Sequence, residues 1–179
     1  MRKINGDWII EIMSRPDWDD EVLELLELCA EERVELGELY SDKLYIDKYG
    51  INIEFDERLR SEKQRAEAGQ ANIYFQGVSF REDCKIPLPF GLVLGDDRRT
   101  CIEKINNHAN IVHLFRYPDG DDILLEDKDK KYFFKPQYTE DENHFLIEIV
   151  VFTWHIEMDL NEYYMPYKIS IEEALRRDT

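Results

Sequence analysis

Several chemistries need residues that this 179-residue chain does not have. Its eight glycines form no phosphate-cradling loop: neither Gly91 nor Gly95 is followed by Lys-Ser or Lys-Thr, and the segment after them, Asp96-Asp97, is acidic. Cys29, Cys84 and Cys101 are odd in number, widely spaced and free of any C-x-x-C. They read as buried reduced thiols of a cytoplasmic protein, not a disulfide or zinc framework. No G-x-S-x-G is present, and each of the five serines is explained by a cap, turn or strand position. The four histidines form neither H-E-x-x-H nor H-x-H, and His108 and His113 miss the i, i+4 spacing of two ligands on one helix face. No metal site and no cofactor are expected. No apolar run reaches the roughly 18–20 residues of a membrane span, and Trp8-Ile9-Ile10 stops at Glu11, too short for a secretory signal.

Positive charge is also scarce. Lys and Arg number 23 against 40 Asp and Glu, a net charge of −17, with a pI near 4.6. Nucleic-acid backbones and anionic lipids both require cations, so neither is an expected partner. The chain is nevertheless 43% hydrophobic and 12% aromatic, too apolar for a disordered acidic tail. Its length fits one domain, residues 1–179.

Hydrophobic spacing gives the organisation. Residues 16–40 read as a long helix opened by Pro16 and Asp17, with Val22, Leu25, Leu26, Cys29, Leu36 and Tyr40 as its apolar stripe. Eleven carboxylates between Asp17 and Asp42 face the single Arg33. Residues 43–56 read as strand, turning at Lys48-Tyr49-Gly50, and residues 57–70 as a short helix or a loop. A strand with Gly77 as a bulge is expected around Ile73, Phe75, Val78 and Phe80. A helix over 97–107, capped by Asp96 or Asp97, should bury Cys101, Ile102 and Ile105. Pro118-Asp119-Gly120-Asp121 reads as a turn. Strands follow at 122–126, 131–135 and 145–154, the last so apolar that it should be central and buried on both faces. Ser170 caps a closing helix at 170–177. The sum is an α+β domain: an antiparallel sheet packed by a long N-terminal helix and a short inner helix.

With catalytic motifs absent, the charge is the strongest functional signal. The oxygen-rich stretch Asp119–Asp129 lacks the spacing of a calcium loop and reads as a solvated hairpin. Solubility is one explanation of the acidity. The sharper one is a carboxylate face that steers a basic partner and competes with phosphate for its Lys and Arg. Three patches are candidates: Asp19, Asp20, Glu24, Glu27, Glu31 and Glu35 on the first helix; Asp119, Asp121 and Asp122 at the turn; and Glu140, Asp141 and Glu142. Trp18, Tyr117 and Tyr138 are candidate aromatic anchors.

Leu88-Pro89-Phe90-Gly91-Leu92, then Gly95-Asp96-Asp97-Arg98 and a helical run holding Cys101, Ile102 and Ile105, resembles a stretch of small bacterial immunity proteins. These include the immunity proteins of contact-dependent growth inhibition and other polymorphic toxin systems. The resemblance spans residues 86–153. It departs at Ile105-Asn106-Asn107, where the pattern ends its helix at Leu-Gly before a Pro. It implies a cytoplasmic protein that neutralises one cognate toxin domain by covering its active site. It brings no catalytic residues, and Leu88, Phe90 and Leu92 would be structural. The leading expectation is therefore a non-enzymatic immunity or inhibitor protein for a basic toxin, a nuclease foremost. A non-catalytic adaptor is the alternative. An enzyme with a spatially assembled site at Cys84, Cys101, His108 or His155 is the third reading.

Overall fold

The computed structural model describes residues 3–29, 33–36, 41–56, 74–127, 130–153 and 164–177. Two short helices come first, α1 (Gly6–Ile12) and α2 (Asp20–Leu28). Four strands follow: β1 (Arg33–Leu36), β2 (Ser41–Ile46), β3 (Ile51–Asp56) and β4 (Tyr74–Phe80). A 3-10 turn at Pro89–Gly91 leads to α3 (Arg98–His108). Strands β5 (Asn110–Arg116), β6 (Asp121–Asp127), β7 (Lys130–Tyr138) and β8 (Leu146–Thr153) come next. A second 3-10 turn (Met165–Tyr167), β9 (Lys168–Ile169) and α4 (Ile171–Arg177) complete the chain. All nine strands form one antiparallel sheet, ordered β1-β2-β3-β4-β8-β7-β6-β5-β9. The protein is α+β.

Strand alternation decides what each face carries. Ile51, Ile53 and Phe55 of β3, Phe75, Val78 and Phe80 of β4, Ile123 and Leu125 of β6, and Ile149 and Val151 of β8 point to one side. There they meet Trp8, Ile9 and Ile12 of α1, Val22 and Leu25 of α2, Cys101, Ile102 and Ile105 of α3, and Ala174 of α4. Phe115, Leu124 and Phe133 form a smaller cluster on the other face, joined by Phe152 and Tyr164. The 3-10 turn after Tyr164 brings Tyr167 onto Tyr117, with ring centroids 4.6 Å apart.

The helix ends follow local chemistry. Asn5 caps α1 through Trp8 N, Asp97 caps α3 through Thr100 N at 2.8 Å, and Ser170 accepts from Glu173 N at 3.0 Å. The segment between them is held by backbone contact. Gly6 N donates to Pro87 O at 2.8 Å, and a Cβ on Gly6 would lie 2.4 Å from Pro89 Cδ. Phe90 takes a left-handed φ of 58°, with its amide on Asp7 Oδ1 at 2.8 Å. Leu88 and Leu92 are buried.

Two expectations change. The helix expected over residues 16–40 is nine residues long, and Arg33–Leu36 is an edge strand paired with β2. The apolar spacing through Cys29 fits a helix. Beyond it, Val34 and Leu36 sit two apart, which is strand spacing. Strand β8 is central, between β4 and β7, but not buried on both faces. Leu146, Ile149 and Val151 are buried, whereas Ile147 is exposed and Val150 and Phe152 are half-buried. The described helices cover one side of the sheet, so a strand rich in apolar residues is left half-buried on its other face. At Gly77 the irregularity is real: Glu54 pairs with Gly77 and Phe55 with Phe75, leaving Gln76 as the extra residue. Residues 57–70 lie outside the described residues.

Candidate functional site: an acidic face on the second helix

Helix α2 starts at Asp19, whose Oδ1 accepts from Glu21 N at 3.0 Å. Arg15 lies beneath this turn and pairs with both Asp19 and Glu21. Burial opposes the Arg15 charge, but the two carboxylates outweigh it and raise the guanidinium pKa. The same glutamate accepts from the indole of Trp8 at 3.3 Å. This network anchors the inner edge of the helix and uses up Asp19.

The outer stripe is different. Asp20, Leu23, Glu24 and Glu27 recur at i, i+3, i+4 and i+7, so they share one face. Among the described residues none of its three carboxylates is paired with a cation. Leu23 stands 43% exposed in the stripe, and Trp18, just before the helix, is 65% exposed. The arrangement works against the helix itself. Asp20 and Glu24, like Glu24 and Glu27, are like-charge neighbours, each pair costing about 0.2–0.5 kcal/mol. Glu27 also sits in the last turn, which has no basic residue, where the helix dipole favours a cation. Asp20 in the first turn suits the helix dipole, whereas Glu24 and Glu27 bring the helix no such gain.

The remaining expected acids divide. Glu31 lies outside the described residues, and Glu35 belongs to edge strand β1 rather than to the helix. Asp121 was expected at the surface, but its side chain is completely buried. It accepts from Arg98 Nε at 3.1 Å, Arg98 Nη2 at 2.8 Å, Arg116 Nε at 3.2 Å and the Tyr138 hydroxyl at 3.3 Å. Arg98 also donates to the carbonyls of Tyr117 and Gly120, both at 2.6 Å, and lies over the Tyr138 ring. Asp121 therefore holds the β5–β6 turn onto α3. Burial pushes the Tyr138 hydroxyl well above its ordinary pKa, with the Asp121 charge adding to it, so Tyr138 is core rather than anchor. Asp122 is half-buried and paired with Lys135 at 2.7 Å. Burial raises its pKa, and the lysine partly reverses the shift.

Asp119 and the Glu140–Glu142 run are exposed and meet at one end of the sheet, where Tyr138 N donates to Asp119 O. Asp141 Oδ1 accepts from Thr139 Oγ1 and Asn143 N, both at 2.9 Å. The threonine bond and then the backbone bond lower its pKa. This corner lies at the Tyr138 end of β7. The α1–α2 connection is tied to the other end, where Lys130 Nζ donates to Glu11 O at 2.6 Å and Met13 O at 3.0 Å. At about 3.3 Å per residue these ends are roughly 25 Å apart along the strand. The second and third patches thus join, and the first stays separate.

The residues considered for catalysis do not converge. Cys84 is half-buried with Sγ toward Ile86 O, Cys101 is buried under α3 with its thiol pushed up to about 12 by burial, and His108 stands exposed at the end of α3. His155 lies outside the described residues. Among the described residues no group of three or more His, Cys, Asp or Glu could hold a metal, and no helix is long and apolar enough to cross a membrane. The open sheet face carries a feature the spacing did not announce, a shallow depression of about 280 Å³ over Gly77 between Lys43, Gln76, Val150 and Phe152.

The class that fold and site define is an acidic α+β protein with one antiparallel sheet, helices on one face and an unneutralised carboxylate stripe on α2. No protein-family model, curated protein or solved structure matches the chain.

Proposed function

We propose that this chain is a non-catalytic immunity or inhibitor protein that binds a basic toxin domain, a nuclease foremost, and covers its active site. The observation that carries the reading is the α2 stripe. Three carboxylates without cation partners among the described residues flank exposed Leu23, beside exposed Trp18. Desolvated aromatic anchors supply most binding energy in such interfaces, while surrounding charges set on-rate and choice of partner. A surface of this kind fits Lys and Arg that would otherwise hold phosphate, hence the nuclease. The acidic corner at Asp119 and Glu140–Glu142 adds long-range attraction from the other end of the sheet.

The test begins with capture from the native host at low salt, followed by a graded salt wash. The captured protein is then purified and its toxicity and nuclease activity assayed with and without this chain. Asp20→Asn/Glu24→Gln/Glu27→Gln should slow association by about tenfold or more at low salt and weaken protection. Trp18→Ala should mainly speed dissociation. The same triple variant should leave folding stability unchanged or slightly raised, because it removes like-charge neighbours. A captured partner of neutral charge that survives high salt, and is indifferent to the triple variant, would instead identify an adaptor.

A further inference from the structure

A second depression, of about 510 Å³, opens where α3 ends and β5 begins. Its floor is Tyr132, a residue only 6% exposed whose ring belongs to the core. The Tyr132 hydroxyl has no hydrogen-bond partner among the described residues. The depression leaves this oxygen open to solvent, where it can accept a bond from an incoming donor. One wall is the half-buried ring of Phe90, whose centroid lies 5.2 Å from that of Phe134 and 6.4 Å from that of His108. Phe90 is held in its left-handed conformation by Asp7. Asn106 and Asn107 on one side, with Glu126 and Asp127 on the other, complete the rim.

The rim is mainly negative; its cations are Lys131, which reaches Glu126 at 3.5 Å from a half-exposed position, and Lys130, which lies opposite Asp127 in the sheet but is bonded to Glu11 O and Met13 O. The negative end of the α3 dipole faces the opening. Burial, then Asp127 and Asp7, raise the Tyr132 pKa, so both carboxylates act at the hydroxyl. The available hydrogen-bonding groups are mainly acceptors: two carboxylates, amide oxygens and the phenol oxygen. An aromatic wall, a ring of acceptors and a negative potential suit a flat cation with several donors. The depression also lies at the Lys130 end of β7, the end to which the α1–α2 connection is tied.

We infer that the depression bounded by Phe90, Asn106, Glu126, Asp127 and Tyr132 receives an arginine side chain of the protein partner. The guanidinium stacks on Phe90 and donates to the Tyr132 oxygen and to a carboxylate, displacing Lys131 from Glu126. This rests on the reading of a basic partner and supplies it with a second contact point, distinct from the α2 stripe.

The experiment needs no partner. Nα-acetyl-arginine methylamide is titrated into the ¹⁵N-labelled chain, with the citrulline and lysine analogues as comparators. Amide signals of Asn106, Asn107 and Asn110 are followed. Arginine should give saturable shifts in the millimolar range, lysine weaker ones, and citrulline at least about tenfold weaker binding. Glu126→Gln/Asp127→Asn should weaken arginine binding about five- to tenfold, and Tyr132→Phe should weaken it with the fold intact by near-ultraviolet circular dichroism. Equal response to citrulline, unsaturable shifts, or indifference to the double variant would overturn the assignment. So would the same shifts, saturating at lower concentration, with calcium or magnesium alone. The α2 triple variant should leave this titration unchanged, so the pocket and the basic-partner reading fail separately.

Discussion

Replacing Asp121 by Asn tests whether the buried ionic cluster is a structural clamp. Asp121 is fully buried, and its two oxygens accept four hydrogen bonds, three of them from the guanidinium groups of Arg98 and Arg116. Asparagine keeps one oxygen, presents an amide donor to groups that are donors, and removes the one anion paired with Arg98 among the described residues, at a 6%-exposed position. Breaking one partner of such a pair leaves an uncompensated buried charge and costs about 3–5 kcal/mol. Against a typical stability of about 5–15 kcal/mol this is a large fraction. For a chain of this size it corresponds to a fall in Tm of roughly 10 °C. Urea unfolding followed by circular dichroism measures it directly. The β5–β6 turn should loosen first, because Arg98 also ties down the carbonyls of Tyr117 and Gly120. A loss below about 1 kcal/mol would refute the clamp.

Gly6→Ala should destabilise by about 2 kcal/mol or more in the same assay, because the new methyl meets Pro89 Cδ and N at 2.4 Å and the backbone must move. An effect within about 0.5 kcal/mol would mean the α1–Pro89 contact yields freely. Asp97→Ala should cost about 1 kcal/mol through loss of the α3 cap. The bond from Thr100 N chiefly lowers the Asp97 pKa from its ordinary 3.8. Its contribution is therefore complete above that ordinary value and lost as pH falls through the lowered one. The difference between wild type and variant should be constant above about pH 5 and shrink below pH 4; a difference that grows on acidification would contradict the cap. Cys101, with its thiol raised to about 12 by burial, should resist iodoacetamide in the native protein and react on unfolding. Labelling at the native rate of an exposed thiol would show that α3 opens readily.

Local signals were legible where one residue type does one job. Asp97 and Ser170 as caps, the Lys48–Gly50 turn between β2 and β3, and Cys101, Ile102 and Ile105 as the inner face of α3 all follow from chemistry within a few residues. The spacing alone carries the first helix too far, because acidic residues suit either an exposed helix or an edge strand. Val34 and Leu36 decide for a strand only once β2 lies alongside with Leu44 opposite Val34.

By itself the sequence determined the sign of the surface, the antiparallel α+β class and the placement of most elements, because charge, periodicity and capping are read within a short window. Only the tertiary structure sorted one acid from another. Asp119, Asp121 and Asp122 are almost adjacent in the chain, yet one is exposed, one is buried between two arginines and one is paired with Lys135. Alternation along a strand sends neighbours to opposite faces, and what waits on each face comes from α3, β5 and β7, elements far along the chain. The same holds for Tyr132, which lines a depression only because Phe90, the end of α3 and Asp127 are folded around it.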